Sequence, residues 1–274
     1  MAKTNNIGSF NEDVFVFGGV YSNLQALRTV KALAEERGFR PKQIICTGDI
    51  IAYCANPVEC VDLLEDWGVH AIAGNVELNL RDESDDCGCN FNEGSRCDVF
   101  SRQWYPYAKE AITDKNKAYI HSLPEFLDLD FHGKKVKIVH GSYHNISEFV
   151  FQSSPDELFD KNFEDSGAEI IVAGHCGIPF ERKTKKGHWI NAGVIGMPAN
   201  DGTARTWCGI LGLTQNKPSF EFIELNYDHA TASKRMLEAG LPSSYANTLT
   251  NGIWDNCEIL PPEETALQGK KLVF

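Results

Sequence analysis

The first 80 residues alternate between short apolar runs and segments with helical spacing, which constrains the fold more than any other feature. Apolar runs occur at Val14–Phe17, 44–46 and 69–73, and each leads into a loop that contains glycine. The segments 24–37 and 57–67 between them place apolar residues three and four positions apart. Short apolar strands that alternate with helices are typical of a parallel sheet covered by helices.

The second half of the sequence is richer in strands and has no internal repeat and no linker rich in proline or serine. Its patterns predict helices at 99–111, 115–122 and 155–163, and strands at 126–131, 135–139, 170–173, 180–182, 188–192, 207–213 and 220–225. We therefore predict an α/β fold of two stacked mixed β-sheets flanked by helices, in one domain over residues 1–274. An acidic segment at 82–97 is predicted as an insertion, and 241–274 as an extension on the surface.

The charge and cysteine content narrow the class of protein. The chain has 38 acidic and 26 basic residues, which gives a net charge of −12. A surface of this sign predicts no nucleic acid polymer and no anionic membrane as partner. Nine cysteines are an odd number in a chain long enough to fold without disulfides, so we expect a reducing, cytoplasmic environment.

Four polar side chains closely follow predicted strands, and they are Asp49, Asn75, His140 and His175. Each of them alone is also typical of a turn or of a hydrogen-bonded polar residue. In an open α/β sheet, however, such strand ends meet at one crevice. A carboxylate, an amide oxygen and two imidazoles suit Mn²⁺, Zn²⁺ or Fe²⁺, so the pattern predicts one divalent transition metal ion per chain.

The sequence around these four residues resembles that of the calcineurin-like metallophosphoesterases. The blocks that carry the resemblance follow the family's order over residues 13–225, and they are Gly48-Asp49, Gly74-Asn75-Val76-Glu77, His140-Gly141-Ser142, Gly174-His175-Cys176-Gly177 and the trailing segments 191–196 and 201–205. The resemblance, which is to the small bacterial members, implies a metallophosphoesterase-like α/β sandwich. It also implies a metal-dependent hydrolase whose substrate is a small phosphomonoester or nucleotide-type phosphodiester.

The departures from the family pattern concern one of its two metal sites. The family opens with Asp-x-His, where this chain has Gly19-Val20-Tyr21, and the last histidine of the Gly-His-x-His block is Gly177. The histidine that assists the leaving group in the family is Val76 here. The resemblance therefore implies that the first site keeps only its bridging ligand. The second site keeps all its ligands, Asp49, Asn75, His140 and His175, so we expect a mononuclear or altered metal site.

Several interpretations stay open at the level of sequence. The chain is a hydrolase with a metal-bound water as nucleophile, or a non-catalytic protein on the same fold that binds or senses a phosphorylated ligand. His144 is a catalytic candidate as proton donor, and Arg205 as a phosphate-binding side chain; a solvated loop histidine and a surface ion pair are the alternatives. A third interpretation is that Cys87, Cys89 and Cys97 bind a structural metal or have a redox role. The alternative is that they are free thiols.

Overall fold

Two mixed β-sheets stack face to face, and helices cover their outer sides, in the computed structural model, which describes residues 2–89 and 91–274. The strands are β1 (Thr4–Phe10), β2 (Val14–Phe17), β3 (Ile44–Cys46), β4 (His70–Ala71), β5 (Phe126–Phe131), β6 (Lys134–Ile138), β7 (Ile170–Ala173), β8 (Phe180–Lys183), β9 (His188–Asn191), β10 (Thr206–Thr214) and β11 (Lys217–Leu225). The helices are α1 (Leu24–Glu36), α2 (Pro57–Trp67), α3 (Asn75–Arg81), α4 (Arg96–Ala111), α5 (Asp114–Ser122), α6 (Asp156–Ser166), α7 (His229–Glu238), α8 (Ser243–Asn251) and α9 (Pro262–Thr265).

The two sheets divide the strands between them. One sheet has the order β1-β5-β6-β7-β9-β8, and the other has the order β11-β10-β2-β3-β4. The pairs β2–β3, β3–β4, β6–β7 and β7–β9 are parallel, whereas β5–β6 and β10–β11 are antiparallel. The predicted fold class of two stacked mixed sheets is therefore confirmed.

Strand β2 is apolar at every position because both of its faces are buried. Val14 and Val16 belong to the cluster between the two sheets, while Phe15 and Phe17 belong to the cluster under the helices. Successive side chains of a strand point to opposite faces, so a strand that is buried on both faces needs no polar position. All four residues are fully buried.

The helices near the amino terminus begin and end where the sequence predicts. The Asn23 side chain accepts a hydrogen bond from the Ala26 N–H at 3.1 Å and caps α1. Helix α2 begins at Pro57, whose missing N–H costs nothing in the first turn, and it ends at Gly68 with φ +70°. None of the helices within the described residues combines the length and the apolar content that a membrane crossing requires.

The predicted surface extension is wrong, because the C-terminal residues contribute to the core. The side chains of Tyr245, Ala246 and Leu249 on α8 are buried in the main apolar cluster, and Met236 on α7 is fully buried there too. Helix α8 is too short and too polar in sequence (SSYANTLTN) for its apolar spacing to be recognised. Strand β1 and helices α3, α7 and α9 were not predicted either. Strand β1 is polar and pairs in parallel with β5, and α3 has only seven residues.

Candidate metal centre

The structure brings the four predicted ligands together at the carboxyl ends of strands from both sheets. Asp49 follows β3, and Asn75 begins α3 just after β4. His140 and His175 follow β6 and β7 of the other sheet. Asp49 and His175 have left-handed backbones, with φ of +51° and +62°, a conformation that costs free energy for residues with a side chain. Such strain is typical of residues that are held in place for a function.

The ligand atoms of these side chains lie within contact distance of one another. His140 Nε2 is 3.2 Å from Asp49 Oδ2, 3.1 Å from Asn75 Oδ1 and 3.2 Å from His175 Nδ1. The ligand atoms of Asp49, His140 and His175 all lie within 4.8 Å of each other. All four side chains are buried. A single small cation in their midst would therefore contact every one of them.

Hydrogen bonds from outside the cluster fix which atoms face it. His140 Nδ1 donates to the Thr47 carbonyl at 2.7 Å, which leaves the Nε2 lone pair for a cation. The Asn75 amide donates from Nδ2 to the Cys87 carbonyl at 2.9 Å and to Cys89 Sγ at 3.2 Å, so its Oδ1 faces His140. With both histidines neutral and His140 protonated at Nδ1, the atoms that converge on His140 Nε2 include two oxygen acceptors, and a metal ion or a proton would balance them.

Two buried polar atoms without partners, and the protonation states of the side chains, also indicate that this cluster suits a metal ion. Asp49 Oδ1 and His175 Nε2 are buried and make no hydrogen bond to any residue that the structure describes. Burial, and then the neighbouring His140, lower the pKa of His175 to about 3. Burial would raise the pKa of Asp49, but the charge and hydrogen bond of His140 outweigh it and lower the pKa. A charged carboxylate and a neutral imidazole are the forms that bind a metal ion.

A proton competes with a metal ion for the same place. Burial lowers the pKa of His140, but the charge and hydrogen bond of Asp49 more than compensate and raise it. Without an ion, a proton on His140 Nε2 is what relieves the repulsion between the clustered acceptors. Binding of a metal ion therefore releases that proton. The donor set fits a divalent transition metal, which would be held by Asp49, Asn75, His140 and His175.

Glu77 supports the loop that carries Asp49, a role that we did not assign from sequence. Its side chain is fully buried and accepts backbone hydrogen bonds from Asp49 (2.9 Å), Ile51 (3.0 Å) and Gly74 (2.8 Å). Burial, and then the charge of Asp49, raise the pKa of Glu77 to about 7. A Cβ atom at position 74 would lie 2.1 Å from Asp49 Oδ1, so only glycine permits this approach. The position of Glu77 in the Gly-Asn-Val-Glu block was the available signal.

Other side chains fill the space of the missing first site. A Cβ atom at position 19 would lie 2.5 Å from Val194 Cγ1 and 2.8 Å from Tyr21 Cζ. At position 177 a Cβ atom would be in ordinary van der Waals contact with the Trp254 ring, at 3.4 Å, but the backbone φ of +78° disfavours any side chain. Burial, and then Asp49, raise the pKa of Tyr21 well above its usual value, so its phenol is neutral. Val76, where the family has its assisting histidine, is 1% exposed and offers no proton.

The structure does not bring His144 and Arg205 to the cluster. His144 Nε2 pairs with Asp165 at 3.2 Å, and its side chain is about one third exposed. Arg205 is buried and pairs with Asp201 at 2.9 Å and with Glu224, and it donates to the Leu272 carbonyl at 2.6 Å. These contacts occupy its guanidinium, so it holds the C-terminal segment onto β11. The catalytic roles of both residues stay predictions that these contacts do not support.

The three cysteines of the insertion do not form a metal site. Asp49, His140 and His175 are the group of three potential ligands found among residues 2–89 and 91–274, and Cys87, Cys89 and Cys97 form none. Cys97 lies in the first turn of α4, where its thiol contacts Asn256 at 3.5 Å. Cys87 and Cys89 lie with their sulfur atoms 2.6 Å apart. The insertion also includes Asn90, which lies outside the described residues. Cys87 and Cys89 instead bind the amide of Asn75.

We expect Cys89→Ala to weaken metal binding, because it removes one of the two acceptors that orient Asn75. Loss of a group that orients a metal ligand raises the dissociation constant by about 10-fold or more. Titration of Mn²⁺ into chelator-treated protein measures the change. Cys60→Ala is the matched control, since this fully buried thiol lies on α2 and contacts none of the four ligands through a hydrogen bond. Equal affinities in the two variants would contradict the role of Cys89.

Comparisons with known proteins show the family to which the chain belongs. The sequence model of the calcineurin-like phosphoesterase superfamily domain matches residues 20–213. The chain belongs to this superfamily. Its sequence is 28% identical over 247 residues to an uncharacterized protein of Methanocaldococcus jannaschii, an alignment that covers 84% of this chain and 93% of the relative. The predicted family resemblance is thus confirmed.

Two solved structures share the fold. A metallophosphoesterase from Sphaerobacter thermophilus aligns with a TM-score of 0.69 and 21% identity, over 89% of this chain and all of that chain. A hypothetical protein from Pyrococcus horikoshii aligns with a TM-score of 0.72 and 19% identity, over 88% and 99% of the two chains. The superfamily consists of phosphoesterases that bind divalent metals, so its membership supports metal-dependent hydrolysis of a small phosphoester as the class of activity.

Proposed function

We propose that this protein is a phosphoester hydrolase that works with a single divalent transition metal ion on Asp49, Asn75, His140 and His175. The observation that carries the proposal is the convergence of three buried atoms, Asp49 Oδ2, Asn75 Oδ1 and His175 Nδ1, on His140 Nε2, each within 3.2 Å of it. The packing of Tyr21 and Val194 against Gly19 favours one ion over two, because it leaves no room for a side chain at position 19.

The residues of the chain have distinct parts in such a reaction. When bound, the ion supplies Lewis acidity and lowers the pKa of a coordinated water toward neutrality. The Thr47 carbonyl holds the His140 ring in the tautomer that binds the ion, and Cys87 and Cys89 turn Asn75 toward it. Glu77 fixes the backbone of Asp49. His175 Nε2, which has no partner among the described residues, is free to donate to a substrate oxygen.

The test has two measurements on protein purified without chelator or affinity metal. Elemental analysis is expected to find about one transition metal ion per chain, from Mn, Zn or Fe. Steady-state assays are then expected to show hydrolysis of p-nitrophenyl phosphate or bis(p-nitrophenyl) phosphate that EDTA abolishes and Mn²⁺ restores. Two ions per chain would contradict the mononuclear site. One ion with no hydrolysis of either ester would instead support the alternative, a non-catalytic binding or sensor protein. The structural argument for this alternative is that Tyr21 and Val194 leave no room for a ligand side chain at position 19.

A further inference from the structure

A mainly apolar pocket that includes several aromatic rings opens beside the candidate metal centre. Asp49 and His175 lie at the pocket, and the rings of Phe91, Phe149 and Trp254 line it together with those of Tyr53 and Tyr245. His175 is 6% exposed and belongs to the lining, and its Nε2 is buried without a hydrogen-bond partner among the described residues. A ligand in this pocket would therefore meet the metal ligands at one side and a wall that is mainly apolar, with Thr248 and Asn256 among its polar residues.

Two of the aromatic rings are held firmly in position. The indole of Trp254 donates from Nε1 to the Pro198 carbonyl at 2.7 Å, and its backbone N–H donates to Asn200 Oδ1 at 2.8 Å. The Phe149 ring stacks on the His175 imidazole with centroids 4.2 Å apart. Rings that are fixed before a ligand binds lose little conformational entropy on binding, so they favour flat apolar groups.

The charges of the lining are few and negative. Asp49 and Asp255 belong to the described lining residues, and neither lysine nor arginine is among these. Asp255 is already paired with Arg96, whose Nη2 lies 2.8 Å from Asp255 Oδ1. The charge that counts in the pocket is therefore that of Asp49. With one divalent ion, neutral histidines and a neutral Glu77, whose buried carboxyl holds the Asp49 loop, the centre carries a single net positive charge.

A single positive charge in an apolar pocket discriminates between phosphoesters. A phosphodiester is a monoanion and leaves the loaded centre neutral, whereas a phosphomonoester dianion leaves one unpaired negative charge among aromatic walls. Burial of an unpaired charge is costly, and no basic side chain of the described lining compensates it. The aromatic rings add affinity for a ligand that carries an apolar or aromatic group.

We propose that this pocket selects phosphodiester-type monoanions with an aromatic or apolar substituent over phosphomonoester dianions. The inference rests on the proposed function, since it takes one ion on the four ligands as given. It goes further by naming the substrate class and by assigning specificity to Phe149 and Trp254. The ring of Trp254 belongs to the C-terminal segment, so that segment forms part of the substrate site.

Three non-hydrolysable probes separate the effect of charge from that of the rings. Diphenylphosphinate is a monoanion with two rings, dimethylphosphinate is a monoanion without rings, and phenylphosphonate in mildly alkaline buffer is a dianion with one ring. Calorimetric titration of the Mn²⁺-loaded protein is expected to give diphenylphosphinate a dissociation constant about 10-fold or more below that of either other probe. Equal or tighter binding of phenylphosphonate would overturn the proposal.

Variants of Trp254 test the role of the aromatic wall. Trp254→Leu is expected to weaken diphenylphosphinate about 10-fold while leaving dimethylphosphinate binding unchanged, and Trp254→Phe is expected to restore most of the loss. Unchanged dimethylphosphinate binding also shows that the variant is folded and loaded. Phe222→Leu is the control, because this ring lies on β11 against Phe274. Equal loss of both phosphinates in Trp254→Leu would contradict selective contact with the rings.

The binding experiment is independent of turnover, so the two proposals fail separately. Selective binding of diphenylphosphinate without hydrolysis of any ester would leave the pocket assignment standing and contradict the hydrolase. Hydrolysis of phosphomonoesters in preference to phosphodiesters, by protein with one ion per chain, would confirm the hydrolase and contradict the pocket assignment.

Discussion

Replacement of Asp49 by asparagine is expected to empty the metal centre and to abolish hydrolysis. Asp49 is the one charged ligand of the four, and its carboxylate lies 3.2 Å from His140 Nε2. An amide at this place removes the negative charge that holds the cation. Loss of the several kcal/mol that a metal ion contributes to the transition state lowers kcat/KM by about 10³-fold or more. Elemental analysis and steady-state assays with excess Mn²⁺ measure the two effects.

The control for this variant is Asp165→Asn. Asp165 lies on α6 and contacts His144, so the substitution makes the same chemical change away from the four ligands. We expect it to leave metal content and kcat/KM unchanged, which would also weigh against His144 as a proton donor that depends on this pair. Thermal unfolding of both variants checks that the fold is intact. Full metal content and normal activity in Asp49→Asn would contradict the site.

Glu77→Ala is expected to lower the free energy of unfolding by about 4 kcal/mol, because three buried backbone N–H groups lose their acceptor and each costs about 1–3 kcal/mol. The donors are Asp49, Ile51 and Gly74, at 2.8–3.0 Å from the carboxylate. Urea denaturation of chelator-treated protein measures the intrinsic loss, since a bound ion would add its own stabilisation to the folded state.

Two further variants define what the Glu77 side chain does. Glu77→Gln keeps one acceptor oxygen, so its loss should lie between those of the wild type and Glu77→Ala. Glu110→Ala removes an exposed glutamate of α4 and should change the free energy of unfolding by about 0.5 kcal/mol or less. If Glu77→Ala were no more harmful than Glu110→Ala, the three hydrogen bonds would not support the loop.

Much of the sheet that contains β2 and β3, with the helices that follow these strands, could be predicted because short-range patterns decide these elements. The prediction for β2, α2 and β3 matches the observed bounds, since apolar runs, the proline at 57 and the glycine at 68 act within a few residues. Strand β1 could not be predicted, because its polar sequence becomes a strand only by pairing with β5, more than 100 residues away. Tertiary context overrides local propensity at such an edge.

The sequence by itself determined the fold class and predicted which four side chains come together, because strand ends converge wherever strands and helices alternate in this way. Only the tertiary structure decided how Asn75 and His140 are oriented, since Cys87 and the Thr47 carbonyl act on them from separate loops. The tertiary structure also decided that Arg205 pairs with Asp201. It decided as well that Trp254 lies in the wall of the pocket. Such contacts join segments far apart in the chain, and they depend on how the whole core packs rather than on local pattern.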